Sequence, residues 1–127
     1  MNSVPIIEEL NIRQIERGQI SRFWLELSTS GLGPPLRVPL LAARGWDDGP
    51  VLGITAVVHG NALNGLPVVR QLFEHLDLNS LRGTVLGIPV VNMPGFLRQQ
   101  RLFLDDVDLN TVMPGRQSGS MSEIYTF

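Results

Sequence analysis

The chain has 127 residues with ten basic and twelve acidic side chains, a formal net charge of −2, and 43% hydrophobic content. This is enough for one small domain, and charge so balanced and dispersed excludes a nucleic-acid or anionic-membrane surface, which needs clustered Lys and Arg. The absence of cysteine excludes a disulfide framework, a thiolate metal site and a Cys nucleophile, so any metal would rest on His, Asp or Glu.

The N-terminal MNSVPIIEEL lacks a basic leader region and a sustained apolar core, and no apolar run approaches the roughly 20 residues of a membrane-spanning helix, which points to a soluble, cytoplasmic protein. Residues 1–19 fit no single period: Ile6, Ile7, Leu10, Ile12 and Ile15 match a helix only in part, and Arg17-Gly18-Gln19 reads as a turn. From Ile20 to Ser28, Phe23, Leu25 and Leu27 alternate with Arg22, Trp24 and Glu26, the pattern of a half-exposed strand. Thr29 to Pro35, with two Gly and two Pro, is a loop. Leu36 to Ala43 is a second strand, which Pro39 confines to an edge or bulge because proline cannot donate to the ladder. Arg44 to Pro50 reads as a turn.

The stretch Val51 to Gly65, VLGITAVVHGNALNG, organises the rest. A mostly apolar run ends abruptly at His59-Gly60-Asn61, as expected of a strand buried on both faces that delivers a polar turn at its C-terminal end. From Asn64, residues Leu66, Val69, Leu72, Phe73 and Leu76 recur at helical spacing opposite Arg70, Gln71, Glu74 and His75, so an amphipathic helix should run to about Asp77–Asn79. A further apolar run, Thr84 to Val91, ends at Asn92-Met93-Pro94-Gly95. Together these elements make a right-handed βαβ unit whose two polar turns share one edge of the sheet, the edge where open α/β sheets bind ligands. The earlier strands should form an antiparallel flank. Beyond Asn92, Phe96–Phe103 has room for one or two helical turns, Leu104–Gly119 has no sustained period, and Ser120 with Glu123 three residues on forms a capping box opening a final helix.

Read singly, the polar residues at these turns do not identify a reaction. His59 suits a metal ligand or base but equally a structural bond to a carbonyl, and His75 lies on the solvated helix face. Asn61, Asn64 and Asn92 suit turn and cap bonds. The Asp105-Asp106-Val107-Asp108 cluster reads as a solvated loop with Arg101 as its surface partner.

Read together, His59-Gly60-Asn61, Asn64-Gly65, Ile88-Pro89-Val90-Val91-Asn92-Met93-Pro94-Gly95-Phe96, Arg101, Asp108-Leu109-Asn110, Pro114-Gly115 and Gly119-Ser120 resemble the N-terminal part of the succinylglutamate desuccinylase and aspartoacylase family, relatives of the zinc carboxypeptidases. The resemblance runs from about Gly53 to Glu123. It implies an α/β, zinc-carboxypeptidase-like three-layer fold with a mixed, partly parallel sheet, of which residues 1–127 would be the N-terminal portion. It also implies a zinc-bound water that cleaves an amide or ester beside a carboxylate, typically in an N-acyl amino acid. By the same resemblance His59 is the first metal ligand, Arg101 and Asn110 hold the substrate carboxylate, and Asp108, with Asn61, supports the ligand or its turn.

Three departures qualify that implication. Ala62 stands where the family's glutamate ligand would be, and Thr111 stands where its D-L-N-R motif has arginine. The segment carrying the second histidine ligand and the general acid/base glutamate would lie beyond Phe127. The expectation is therefore a chain without hydrolase activity by itself: either the first portion of a zinc hydrolase or a non-catalytic, carboxylate-binding remnant. A half sheet with an apolar edge should self-associate or require a partner supplying the missing strands.

Overall fold

The computed structural model describes residues 3–28 and 33–127, so the first four positions of the predicted Thr29–Pro35 loop lie outside the described residues. Five strands form one sheet in the order β1-β2-β3-β5-β4. They are β1 (Ile6–Ile7), β2 (Gln19–Ser28), β3 (Leu36–Arg44), β4 (Asp47–Thr55) and β5 (Arg82–Ile88). β2, β3 and β5 pair antiparallel, and β4 pairs parallel with β5, which is the expected antiparallel flank beside a parallel pair. The unresolved N-terminal pattern becomes a two-residue strand parallel to β2 and a single 3-10 turn over Ile12–Gln14.

Helices lie on both faces. Helix α1 (Gly65–His75) buries Val69 and Phe73 against Ala43 and Val85, with Leu41 and Ile54 around them. On the other face Phe103, Leu109 and Tyr125 pack on Val38 and Val91. Leu109 opens the one-turn helix α3 (Leu109–Val112), and Tyr125 closes α4 (Met121–Tyr125). The three layers are thus α1, the sheet, and the α3–α4 side. The capping box at α4 forms as its sequence predicts: the Ser120 hydroxyl accepts from the Glu123 N–H, and the Glu123 carboxylate accepts from the Ser120 N–H.

Two strand expectations are corrected. The Val51 run is not central and not buried on both faces. It belongs to the longer β4, which starts at Asp47 inside the predicted turn and occupies the end of the sheet, with Val51 50% and Leu52 57% exposed. Its apolar content gave the expectation, but burial also needs a neighbour on the outer side, and none is present among the described residues. Pro39, in turn, sits in a strand with neighbours on both sides. Its constraint holds locally, because β3 meets β5 only from Leu41 onward, so at Pro39 it is paired with β2 alone, opposite Trp24.

Candidate active site

The two turns predicted to share an edge are stitched together. After β4, the Ala56 N–H donates to Ile88 O at 3.0 Å, the Val91 N–H donates back to Ala56 O at 2.9 Å, and the Asn92 N–H donates to Val57 O at 3.0 Å. Asn92 is fully buried, and its side-chain oxygen accepts from the Gly95 N–H, capping helix α2 (Met93–Arg98). Val57 has φ 53, a left-handed conformation that a β-branched residue adopts only under surrounding constraint, at a cost of about 1–3 kcal/mol. That bend turns the chain from the strand into the His59 loop. Gly60 then docks on α2 so closely that a Cβ there would lie 2.2 Å from Gln100 O and from the Gly95 carbonyl carbon, a contact only glycine permits.

At this edge the fold gathers His59, Arg101, Asp108 and Asn110. The His59 ring meets Asp108 across 49 residues of sequence, with Nε2 3.0 and 3.1 Å from the two carboxylate oxygens. An ionised carboxylate only accepts, so Nε2 is the donor of this pair. Asp108 also accepts from Arg101 Nη2 at 3.1 Å and from the Asn110 N–H at 3.0 Å, where it caps α3. Burial would raise the Asp108 pKa, but the Asn110 N–H, the His59 ring and the Arg101 guanidinium together hold it below the ordinary carboxylate range. His59 and Asp108 are about one fifth exposed, whereas the Arg101 side chain is 56% exposed and keeps further donors free toward solvent.

The other residues singled out in the sequence fall as follows. Asn61 and Ala62 are exposed on the turn, and the Ala62 N–H donates to His59 O at 3.0 Å. Asn61 borders an open groove of about 700 Å³ with Gly60, Leu63, Phe96, Leu97 and Gln99. The Thr111 hydroxyl donates to the Asp108 carbonyl at 2.7 Å, a local bond that does not replace a guanidinium. His75 is on the surface and donates from Nδ1 to Gln71 O at 2.8 Å, away from the site. The acidic cluster is not the solvated loop that its composition suggested. Asp108 belongs to the site, and Asp105 accepts from the Ser122 N–H while its second oxygen is buried without a partner.

Tyr125 was missed in the sequence. Its hydroxyl donates to Val91 O at 2.5 Å, and its ring lies 4.5 Å from that of Phe103, so the last helix pins the strand-end segment leading to Asn92. The signal available was an aromatic residue on a well-capped helix, which marks a packing position but not its target.

Zinc does not fit the residues present. His59 offers one donor, the Ala62 methyl offers none, and no group of three His, Cys, Asp or Glu side chains is placed to hold a metal among the described residues. Nor is any helix among them long and apolar enough to cross a membrane.

The profile of the Succinylglutamate desuccinylase/Aspartoacylase catalytic domain matches residues 48–126. The N-alpha-acetyl-L-2,4-diaminobutyric acid deacetylase of Halomonas elongata is 29% identical over 77 residues, which are 60% of this chain and 22% of that protein. An aspartoacylase family protein from Mesorhizobium loti superposes with a TM-score of 0.75 at 30% identity, over 84% of this chain and 34% of its own. A succinylglutamate desuccinylase/aspartoacylase from Rhodobacter sphaeroides gives 0.76 at 23% identity, over 98% and 38%. The chain therefore spans between about a fifth and two fifths of the length of these relatives. With the profile covering more than half of its residues, and with the mixed three-layer sheet in place, the chain belongs to the succinylglutamate desuccinylase/aspartoacylase family.

Proposed function

We propose that this chain supplies the His59-bearing, N-terminal part of a deacylase acting on N-acyl amino acids, and that by itself it binds a carboxylate ligand without hydrolysing it. The observation that carries this reading is the grip of Asp108 on His59: two oxygens on one ring nitrogen fix the imidazole and leave Nδ1 as the ring nitrogen not engaged by Asp108. A histidine held in this way is oriented before any ligand arrives. The deacetylase named above acts on an N-acetylated amino acid, which supports the substrate class.

In this account the roles divide by chemistry. Arg101 uses one nitrogen on Asp108 and offers the rest of its fork to a ligand carboxylate, and Asn110, exposed and bonded through its backbone N–H to the same Asp108 carboxylate, offers its carboxamide as a second donor. Asp108 positions both His59 and Arg101, and its lowered pKa keeps it an acceptor at neutral pH. The incomplete donor set around His59 favours binding over turnover for the isolated chain, since one imidazole does not retain zinc against water.

The test is zinc content after gel filtration, together with hydrolysis of N-acetyl-L-aspartate, on this chain and its Ala62→Glu variant. Calorimetry with the same ligand on an Arg101→Ala variant completes it. The expected outcome is no hydrolysis by the unmodified chain, zinc far below one per chain, and weak ligand binding that is lost with Arg101. Stoichiometric zinc with turnover in the unmodified chain would contradict the reading.

A further inference from the structure

We infer that Asp105 and Tyr125 are positioning residues of the candidate active site: through helix α4 they tie the loop that carries Asp108 to the segment that carries His59, and so set how the two side chains meet. The inference rests on the geometry of that site, and only its bearing on catalysis rests on the deacylase reading. His59 and Asp108 stand on separate loops, 49 residues apart in sequence, and face each other at 3.0 Å. A contact of that length between two loops persists only where both are fixed to a common body.

The His59 loop is fixed at its root. Val91 and Asn92 hold Ala56 and Val57 by backbone bonds, and the Gly60 N–H donates to Arg101 O at 3.2 Å. The same bond fixes the start of the Asp108 loop. That loop then closes into a tight turn: the Phe103 N–H donates to Val107 O at 2.9 Å and the Asp106 N–H to Phe103 O at 3.1 Å, with Asp106 in the left-handed region at φ 59. The turn presents Asp105 to α4, where one carboxylate oxygen accepts from the Ser122 N–H at 3.0 Å. Ser122 and Tyr125 are both buried and lie three residues apart, on one face of α4. From that face the Tyr125 hydroxyl donates to Val91 O at 2.5 Å, beside the bonds that hold Ala56 and Val57. The connections therefore form a closed circuit from Asp108 through Asp105, α4 and Val91 to His59.

Packing alone does not account for the two polar groups in this circuit. The second Asp105 oxygen is buried without a partner, an unfavourable placement that an apolar side chain would avoid. Its partner oxygen supplies the bond to α4, which no apolar side chain could make. The Tyr125 ring lies 4.5 Å from that of Phe103, a contact that a phenylalanine would keep, so the hydroxyl adds the link to Val91 O and nothing to the ring contact.

The test is amide hydrogen exchange together with long-range proton–nitrogen correlation NMR at one neutral pH, on this chain and on Tyr125→Phe, Asp105→Ala, Asp105→Asn and Arg116→Ala variants. Arg116→Ala removes a side chain that pairs with Glu123 on α4 but lies outside the circuit. In Tyr125→Phe and Asp105→Ala the Gly60 amide should exchange at least about tenfold faster, and the His59 Nε2 signal should move toward its position in Asp108→Ala. Amides of the β3–β5 ladder should keep their rates, as should the His75 signals their positions. Asp105→Asn, which retains an acceptor for Ser122, and Arg116→Ala should both resemble the unmodified chain. If Tyr125→Phe does not fold, as judged by circular dichroism, Asp105→Ala decides on the same criteria. An unchanged Gly60 amide and His59 ring overturn the proposal. So do ladder amides that accelerate in step with Gly60, or an equal response in Arg116→Ala, since either makes the circuit a matter of overall stability. No ligand enters the measurement, so its outcome is separate from whether the chain binds a carboxylate.

Discussion

β3 and β4 both carry branched aliphatic side chains, yet Val38 and Leu40 in β3 are almost fully buried while Val51 and Leu52 in β4 stand half in solvent. β3 is the more apolar strand, and it also has the fuller set of neighbours. β3 has β2 and β5 beside it and side chains from both helical layers over it, whereas among the described residues β4 has β5 alone beside it. Apolar content in a strand thus reports what the complete surroundings will bury, and the position in the sheet decides how much of that burial one chain can provide.

The largest effect that would sharpen this contrast is expected on the α3–α4 side. Leu109 is fully buried among Phe103, Val38 and Tyr125, so Leu109→Ala leaves a cavity and should cost about 2–5 kcal/mol in denaturant unfolding. The matching change on β4, Leu52→Ala, should stay within about 0.5 kcal/mol under conditions where the chain is monomeric. Equal losses at the two positions would break the comparison.

An intermediate effect is expected from Tyr125. Burial raises its phenol from 10.0 to about 12. The protonated form is the one the fold accommodates, so this stabilisation is complete below the unfolded pKa near 10 and is lost as pH rises through the folded value. Unfolding followed between pH 9 and about 12 should show a decline approaching 2–3 kcal/mol, and Tyr125→Phe should flatten it while losing the bond to Val91 O.

How much of this was legible in the sequence depended on the range of the interaction. The Ser120–Glu123 capping box was readable because both partners lie within one turn, and the parallel pair with its shared turn edge was readable because each run ends in a polar turn. The edge position of β4 was not, since it depends on what else lies alongside. Neither was the left-handed Val57, whose φ is imposed by the bonds between the two turns and by no preference of valine. Of the site, His59, Arg101, Asp108 and Asn110 emerged from motif resemblance. Composition alone pointed the other way for Asp108, because a pairing across 49 residues leaves no local trace.

The hold of Asp108 on His59 Nε2 is read out by long-range proton–nitrogen correlation NMR of the two histidine rings. At neutral pH the account predicts that His59 is held as the Nε2–H tautomer and that this preference is lost in Asp108→Ala, while the His75 signals are unchanged. A His59 ring protonated on Nδ1, or one indifferent to removal of Asp108, would contradict it.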